Sequence, residues 1–365
     1  MNAVLDDTLL ADPAALAAVD TAGVLRSAAT AGAQVRSAAQ AATEAGVARL
    51  EGQRPRALVF VRRPGSSGAA AEIVSALLGP LCPVPIVVAD LVPGWIGPLD
   101  VVVAHTADQA DVELAESLAR AVARGAELVL SAPSDGPVAS AGAGRALLVE
   151  PRIPVPPALD LPRALAVGLR VVSALGLWPG GLDPALDPLA DALDAEAERN
   201  QPGHEPFMNP AKTLALRLAE HTPLLWGADR PATAVAGHGA TALATHAGVV
   251  AHAADIAQAA TALGLRRAID QADRPDDIFR DPFDDPAGAE APPPRVVLLA
   301  TAEEDPGQVA VRRTGRGWPA DLAHPVDEIA RGTRDAPLLR AALLVNRLDA
   351  AAIYLGLATR TIEPA

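Results

Sequence analysis

The residues best placed for chemistry in this 365-residue chain begin with Pro64-Gly65-Ser66-Ser67-Gly68, between an apolar run and a helical stretch. Backbone N–H groups and the Ser66 and Ser67 hydroxyls would there face the positive end of a helix dipole, a nest suited to a phosphate or a sugar. Gly/Ser loops also join strands to helices without any ligand. At the end of a later apolar run, His105-Thr106-Ala107-Asp108-Gln109-Ala110-Asp111 sits at the carboxyl edge where open α/β sheets take their ligands. His105 has the type for proton transfer near neutral pH, or for a polar rim. Asp108 and Asp111 suit the start of a helix, and their charge opposes a phosphate dianion. His238, His246 and His252 fall in a small-residue stretch that reads as one long helix. Such a helix holds His238 and His252 on one face but about 21 Å apart, too far to share a metal. With no HxxxH or HExxH spacing, zinc is not expected. Moving a proton between adjacent carbons needs a positioned base and a second acid/base group. Thr233 to Ala289 contains no glutamate, Asp255 is the only carboxylate of the expected helix, and Lys212 is the single lysine.

The elements that must position these residues alternate strand and helix. The first 50 residues are Ala-rich with helical apolar spacing and breaks near Gly23 and Gly32, and predict a helical lead-in. From Arg56, ALVFVRR, VPIVVAD, DVVVAHT, AELVLSAP and RALLVEP read as strands, with helices at PGSSGAAAEIVSALL and DVELAESLARAVARG. Near-continuous apolar strands alternating with helices predict a parallel sheet covered on both faces. After LPRALAVGLRVVSALGL and an acidic amphipathic helix the plan repeats: a helix capped by Asn209 with Pro210 at its first position, the strand TPLLWGA, the long helix, the strand RVVLLATA, and a terminal helix. The expected organisation is a lead-in at 1–50, a first domain at 51–157, crossover helices at 158–204, and a second domain at 205–365 with an acidic loop at 270–294. That loop has seven Asp and six Pro, which favours a solvated segment.

Composition narrows the partners. A formal charge of −14 argues against nucleic acid, which requires clustered basic residues. No uninterrupted apolar run reaches the roughly 18 residues of a membrane span. Asp6, Asp7 and Asp12 occupy the stretch where a signal peptide would be basic or apolar, so a cytoplasmic location is expected. Cys82, the only cysteine, excludes an intrachain disulfide, and its apolar setting suggests a small core residue.

In the order and wording of its segments, the chain resembles the bifunctional phosphoglucose/phosphomannose isomerase family of sugar-isomerase (SIS) domains. RPGSSGAAAEIVSALL is similar to that family's Gly-Gly-Ser loop, LPRALAVGLRVVSALGL to its crossover helix with a Pro-Arg start, and NPAKTLALRLAEHTPLLWG to the entry of its second SIS unit. The resemblance implies two tandem SIS domains, each a flavodoxin-like doubly wound sheet, a homodimer, and a sugar-phosphate ligand at Gly65, Ser66, Ser67, Thr106 and Arg163, with no cofactor and no metal. It also implies losses. Thr106 to Asp111 stand where the family carries Ser-Tyr-Ser-Gly-Asn-Thr. Ala244-Thr245-His246 stand where its glutamate base lies. Its ring-opening histidine would fall in the tail of the long helix and the acidic loop, which hold no histidine after His252, and its C-terminal lysine has no counterpart after the closing helix. Arg163, His246 and His105 are the residual candidates for catalysis. Three functions follow: a catalytically impaired, regulatory phosphosugar binder acting on hexose-phosphate enzymes; an active isomerase with relocated groups; or an interaction protein that binds no sugar.

Overall fold

A computed structural model of the chain describes residues 5–273 and 292–362. The leading segment forms α1 (Asp7–Ala11), α2 (Pro13–Val19), α3 (Val24–Ala28) and α4 (Ala31–Glu44). There follow β1 (Ala57–Val61), α5 (Ser67–Leu78), β2 (Ile86–Ala89), β3 (Asp100–His105), α6 (Val112–Ala123), β4 (Glu127–Ser131), α7 (Gly136–Ala141), β5 (Leu147–Val149), α8 (Leu161–Ala174) and α9 (Leu186–Arg199). The second half contains α10 (Pro210–Leu218), β6 (Thr222–Gly227), α11 (Arg230–Ala247), β7 (His252–Asp255), α12 (Ile256–Ala259), α13 (Leu263–Ala272), β8 (Pro294–Leu299), α14 (Pro306–Thr314), β9 (Ala320–Ala323) and α15 (Ala336–Ala358). Two compact units result. The N-terminal unit comprises Gly23–Arg199 and Ile329–Asn346; the C-terminal unit comprises Met1–Ala22, Asn200–Glu328 and Arg347–Ala365. The helices at 24–44 and 161–199 thus group with the first sheet, and residues 1–22 with the second.

In the N-terminal unit five parallel strands run in the order β2-β1-β3-β4-β5, the flavodoxin-like arrangement. Its central strands are apolar on both faces because both are covered. Val59, Val61, Val102, Ala104, Leu128 and Leu130 pack with Leu114 and Leu118 of α6 on one face. On the other, Phe60 meets α8 so closely that a Cβ on Gly168 would lie 3.5 Å from its ring and 3.3 Å from Val74 of α5. The C-terminal unit has four parallel strands in the order β7-β6-β8-β9. Its core gathers Leu224, Trp226, Ile256, Val296 and Leu298, with Trp226 edge-on to Trp318 at 4.9 Å. The expected α/β class with parallel, helix-covered sheets is what both units show.

Three expectations change. The long second-half helix stops at Ala247, because Gly248 takes the left-handed conformation (φ 63°) and caps it by bonding back to Leu243. His252 and Asp255 consequently lie on β7, a strand hidden in the sequence by its alanines. Gly32 is not a break: it lies inside α4, where a Cβ would run into Ala190 and Asp194 of α9, so it serves close helix packing. Cys82 is half-buried in a turn rather than in the core. Of the acidic loop, Asp270 and Gln271 belong to α13, and residues 274–291 lie outside the described residues. By length and composition α15 could cross a membrane, yet 94% of its apolar window is buried inside the protein, as in a core helix.

The single lysine is an anchor of the C-terminal unit. Buried Lys212 on α10 donates to the carbonyls of Leu10 at 2.6 Å, Pro202 at 2.7 Å and His204 at 2.8 Å, and its ammonium lies 5.5 Å from the centre of the Tyr354 ring. All three donors of the ammonium are therefore used. Burial pushes its pKa down, against the opposing charge of Glu205. Replacing Lys212 by Met strands three carbonyls, and urea unfolding of this variant should show a loss of about 3 kcal/mol or more.

Candidate functional site

The order of strands in the N-terminal sheet reverses between β1 and β3, and the crevice outside the carboxyl ends at such a point is where open parallel sheets take ligands. The loop after β1 delivers Ser66 there, the end of β3 delivers His105, and the first turn of α8 delivers Arg163. All three are buried. They converge on one carboxylate, Asp160, at the N-cap of α8. Ser66 Oγ donates to Asp160 Oδ1. His105 Nε2 lies 2.9 Å from Oδ2, and Arg163 Nη2 donates to the same oxygen at 2.6 Å. The parallel register sets His105 beside Ser131 of β4, with Nδ1 3.0 Å from Ser131 Oγ. Because a carboxylate only accepts, Nε2 must carry a proton, and Nδ1 is engaged by the Ser131 hydroxyl, which can act as donor or acceptor.

Burial alone would raise the pKa of Asp160. The charge and hydrogen bond of His105, then Arg163 and Ser66, outweigh it and hold the carboxyl below its usual range. Buried Arg163 Nε has no partner among the described residues. The neighbouring arginines are engaged as well. Arg63 grips Asp111 with two bonds, at 2.7 and 3.0 Å, and reaches Glu113 at 3.1 Å, while Arg62 pairs with Asp90 at 2.8 Å.

The sequence-predicted residues divide accordingly. Ser66, His105 and Arg163 meet. Gly65 turns the loop with φ 104°, but Ser67 is spent on the loop itself, donating to the carbonyl of Arg63 and accepting from its N–H. Thr106 closes its own turn by accepting from Asp108 N at 3.0 Å. Asp111 caps α6 as expected, accepting from Leu114 N at 3.0 Å, whereas Asp108 accepts from Ala110 N in the preceding turn. Asp160 and Ser131 were missed. The available signal was an aspartate directly before Leu161-Pro162-Arg163, an N-cap position with an arginine three residues on.

In the C-terminal unit the strand order reverses between β6 and β8. There Asp229 Oδ1 accepts from Ala232 N at 2.9 Å and Thr301 Oγ1 at 2.7 Å, and Oδ2 from Thr301 N at 2.7 Å and Ala302 N at 2.9 Å. Deeper, His238 of α11 pairs with Asp349 of α15, Nε2 to Oδ1 2.7 Å. Burial would lower the pKa of His238, but Asp349 raises it by charge and hydrogen bond. His246, the other candidate base, is buried with Nε2 unpartnered among the described residues. Burial first, and His238 in a smaller way, push its pKa down despite Asp349. His252 Nδ1 accepts from Trp226 Nε1 at 3.2 Å. No group of three or more His, Cys, Asp or Glu that could hold a metal occurs among the described residues.

Residues 207–364 match the family of the bacterial phospho-glucose isomerase C-terminal SIS domain. That stretch is similar to a SIS domain. Solved structures extend the likeness in fold to both units. A candidate phosphosugar isomerase from Silicibacter pomeroyi DSS-3 is 16% identical with a TM-score of 0.58, covering 94% of this chain and 99% of its own. Another, from Clostridium difficile 630, is 10% identical with a TM-score of 0.64 and 94% of each chain covered. The C-terminal domain of glucosamine-fructose-6-phosphate aminotransferase from Francisella tularensis is 12% identical with a TM-score of 0.58, covering 91% of this chain and 95% of its own. None of the curated proteins matches. The C-terminal unit carries a buried acid–base pair in His238–Asp349. Because the pKa of His238 is raised, the stability this pair supplies is complete below the ordinary value of 6.5 and fades as pH rises through the raised one. Asp349→Asn should cost about 3–5 kcal/mol near pH 6, and unfolding at increasing pH should show the deficit shrink.

Proposed function

We propose that this protein binds a hexose phosphate, such as glucose or mannose 6-phosphate, without isomerising it, and that it regulates an enzyme of hexose-phosphate metabolism from the cytoplasm as a homodimer. One observation carries the proposal: Ser66, His105 and Arg163 present anion-binding donors at the switch point, with no free base beside them among the described residues. Both nitrogens of His105 are engaged. Asp160 has a depressed pKa, which makes it a poor proton acceptor near neutrality. The similarity of residues 207–364 to a SIS domain and the fold shared with candidate phosphosugar isomerases support a sugar-phosphate ligand.

A second reading, isomerisation through a relocated base, is favoured by His246, whose Nε2 is unpartnered and whose depressed pKa keeps the ring neutral. Assay of the purified chain separates the two. The proposal expects saturable thermal stabilisation by glucose or mannose 6-phosphate, about 2.7 kcal/mol at 100 times the Kd, with no conversion to fructose 6-phosphate. Turnover that disappears in His246→Ala would establish the second reading. No stabilisation by any hexose phosphate would overturn phosphosugar binding.

A further inference from the structure

The donors at the N-terminal switch point are already occupied, and by a residue of the chain itself. Asp160 sits at the N-cap of α8, where an aspartate ordinarily accepts from backbone N–H groups of the first turn. Its side chain makes no such bond. It turns instead to Ser66, His105 and Arg163, which come from three separate elements. The fit is incomplete in one respect. Two carboxylate oxygens take three donors, yet Arg163 Nε, on a residue 8% exposed, is left without a partner. A phosphoryl group has one more terminal oxygen than a carboxylate and forms bidentate bonds with guanidinium, so it could engage Nε as well as Nη2.

The geometry points to an oxyanion site built from Ser66, His105 and Arg163, in which Asp160 is the resident anion and sets the affinity for phosphoryl ligands. The site takes one anion at a time. Arg163 supplies its permanent positive charge, while Arg62 and Arg63 are paired with Asp90, Asp111 and Glu113. A phosphoryl ligand must therefore displace the Asp160 side chain from Arg163 before it can bind. Asp160 is in this sense a specificity-determining residue: it disfavours dianions and makes the affinity of the native protein depend on how readily the carboxylate swings out.

This inference rests on the reading of the chain as a phosphosugar binder, and the test separates the two. Calorimetric titration with inorganic phosphate and with glucose 6-phosphate compares the native chain, Asp160→Asn, and Asp160→Asn combined with Arg163→Gln. Asp160→Asn should bind phosphate about tenfold or more tightly than the native chain, and the double variant should lose that gain. As a second variant, Asp160→Gly should be destabilised and then recover stability in acetate or phosphate but not in an equal ionic strength of chloride. A folded Asp160→Asn with unchanged phosphate affinity overturns the inference, as does a gain that survives Arg163→Gln. Failure of both single variants to fold in acetate or phosphate also overturns it, because the donors would then accept no external anion. A gain in Asp160→Asn with a native chain silent to every hexose phosphate supports the resident anion and overturns the proposed function alone. A responsive native chain with no gain in Asp160→Asn does the reverse.

Discussion

The Asp160 carboxylate is the interaction on which the N-terminal unit's functional edge depends. A buried charge is tolerated only when paired and hydrogen-bonded, and Asp160 draws its partners from the β1–α5 loop, from β3 and from α8. His105 passes the constraint to β4 through Ser131. One negative charge thus fixes a proton on His105 Nε2, the position of Ser66 and the start of α8. The donors of Ser66, His105 and Arg163 are held in a network whose members satisfy one another, with Arg163 Nε as the exception.

The C-terminal unit meets the same requirement differently. At its switch point Asp229 caps α11 through Ala232 N and also holds Thr301 and Ala302 after β8, so a helix cap doubles as a tie between β6 and β8. No arginine is needed there, because backbone N–H groups and the helix dipole carry the compensation. Inside the same unit the charge is an ammonium: Lys212 closes three carbonyls from segments that would otherwise end in unsatisfied acceptors. Buried ions in this protein thus act as fasteners between loops, each matched to the polarity of the groups it gathers.

Much of this architecture was legible in the sequence, and the exceptions have physical causes. Strands such as ALVFV and DVVVAH announce themselves because covered parallel strands are apolar on both faces. β7, His252-Ala-Ala-Asp255, does not, since alanine and histidine give no strand signal and the stretch continues a helical run of small residues. Gly32 and Gly248 illustrate the limit at single residues: one permits helix contact inside α4, the other ends α11 in a left-handed turn, and composition does not separate these uses. For the site, Ser66, His105 and Arg163 were recognisable from position and type, but the fact that they meet depends on β3 lying beside β1. Asp160 looked like a helix cap, and only the tertiary arrangement turns it inward. Asp349 was hidden likewise, as one polar residue in the apolar run of α15.

The contacts of the Asp160 network also decide which groups at this edge can accept a proton. A general base needs a free lone pair directed at the substrate and a pKa near the working pH. The Asp160 network removes the first from His105, whose two nitrogens are both bonded, and the second from Asp160 itself, whose pKa Arg163 and His105 depress. Both effects come from one set of contacts, and those contacts also stabilise the edge. Freeing a base there would mean loosening that network and leaving the buried charge of Arg163 unpaired. Phosphosugar binding asks less of the same edge: it requires only the exchange of one anion for another at donors that stay where they are.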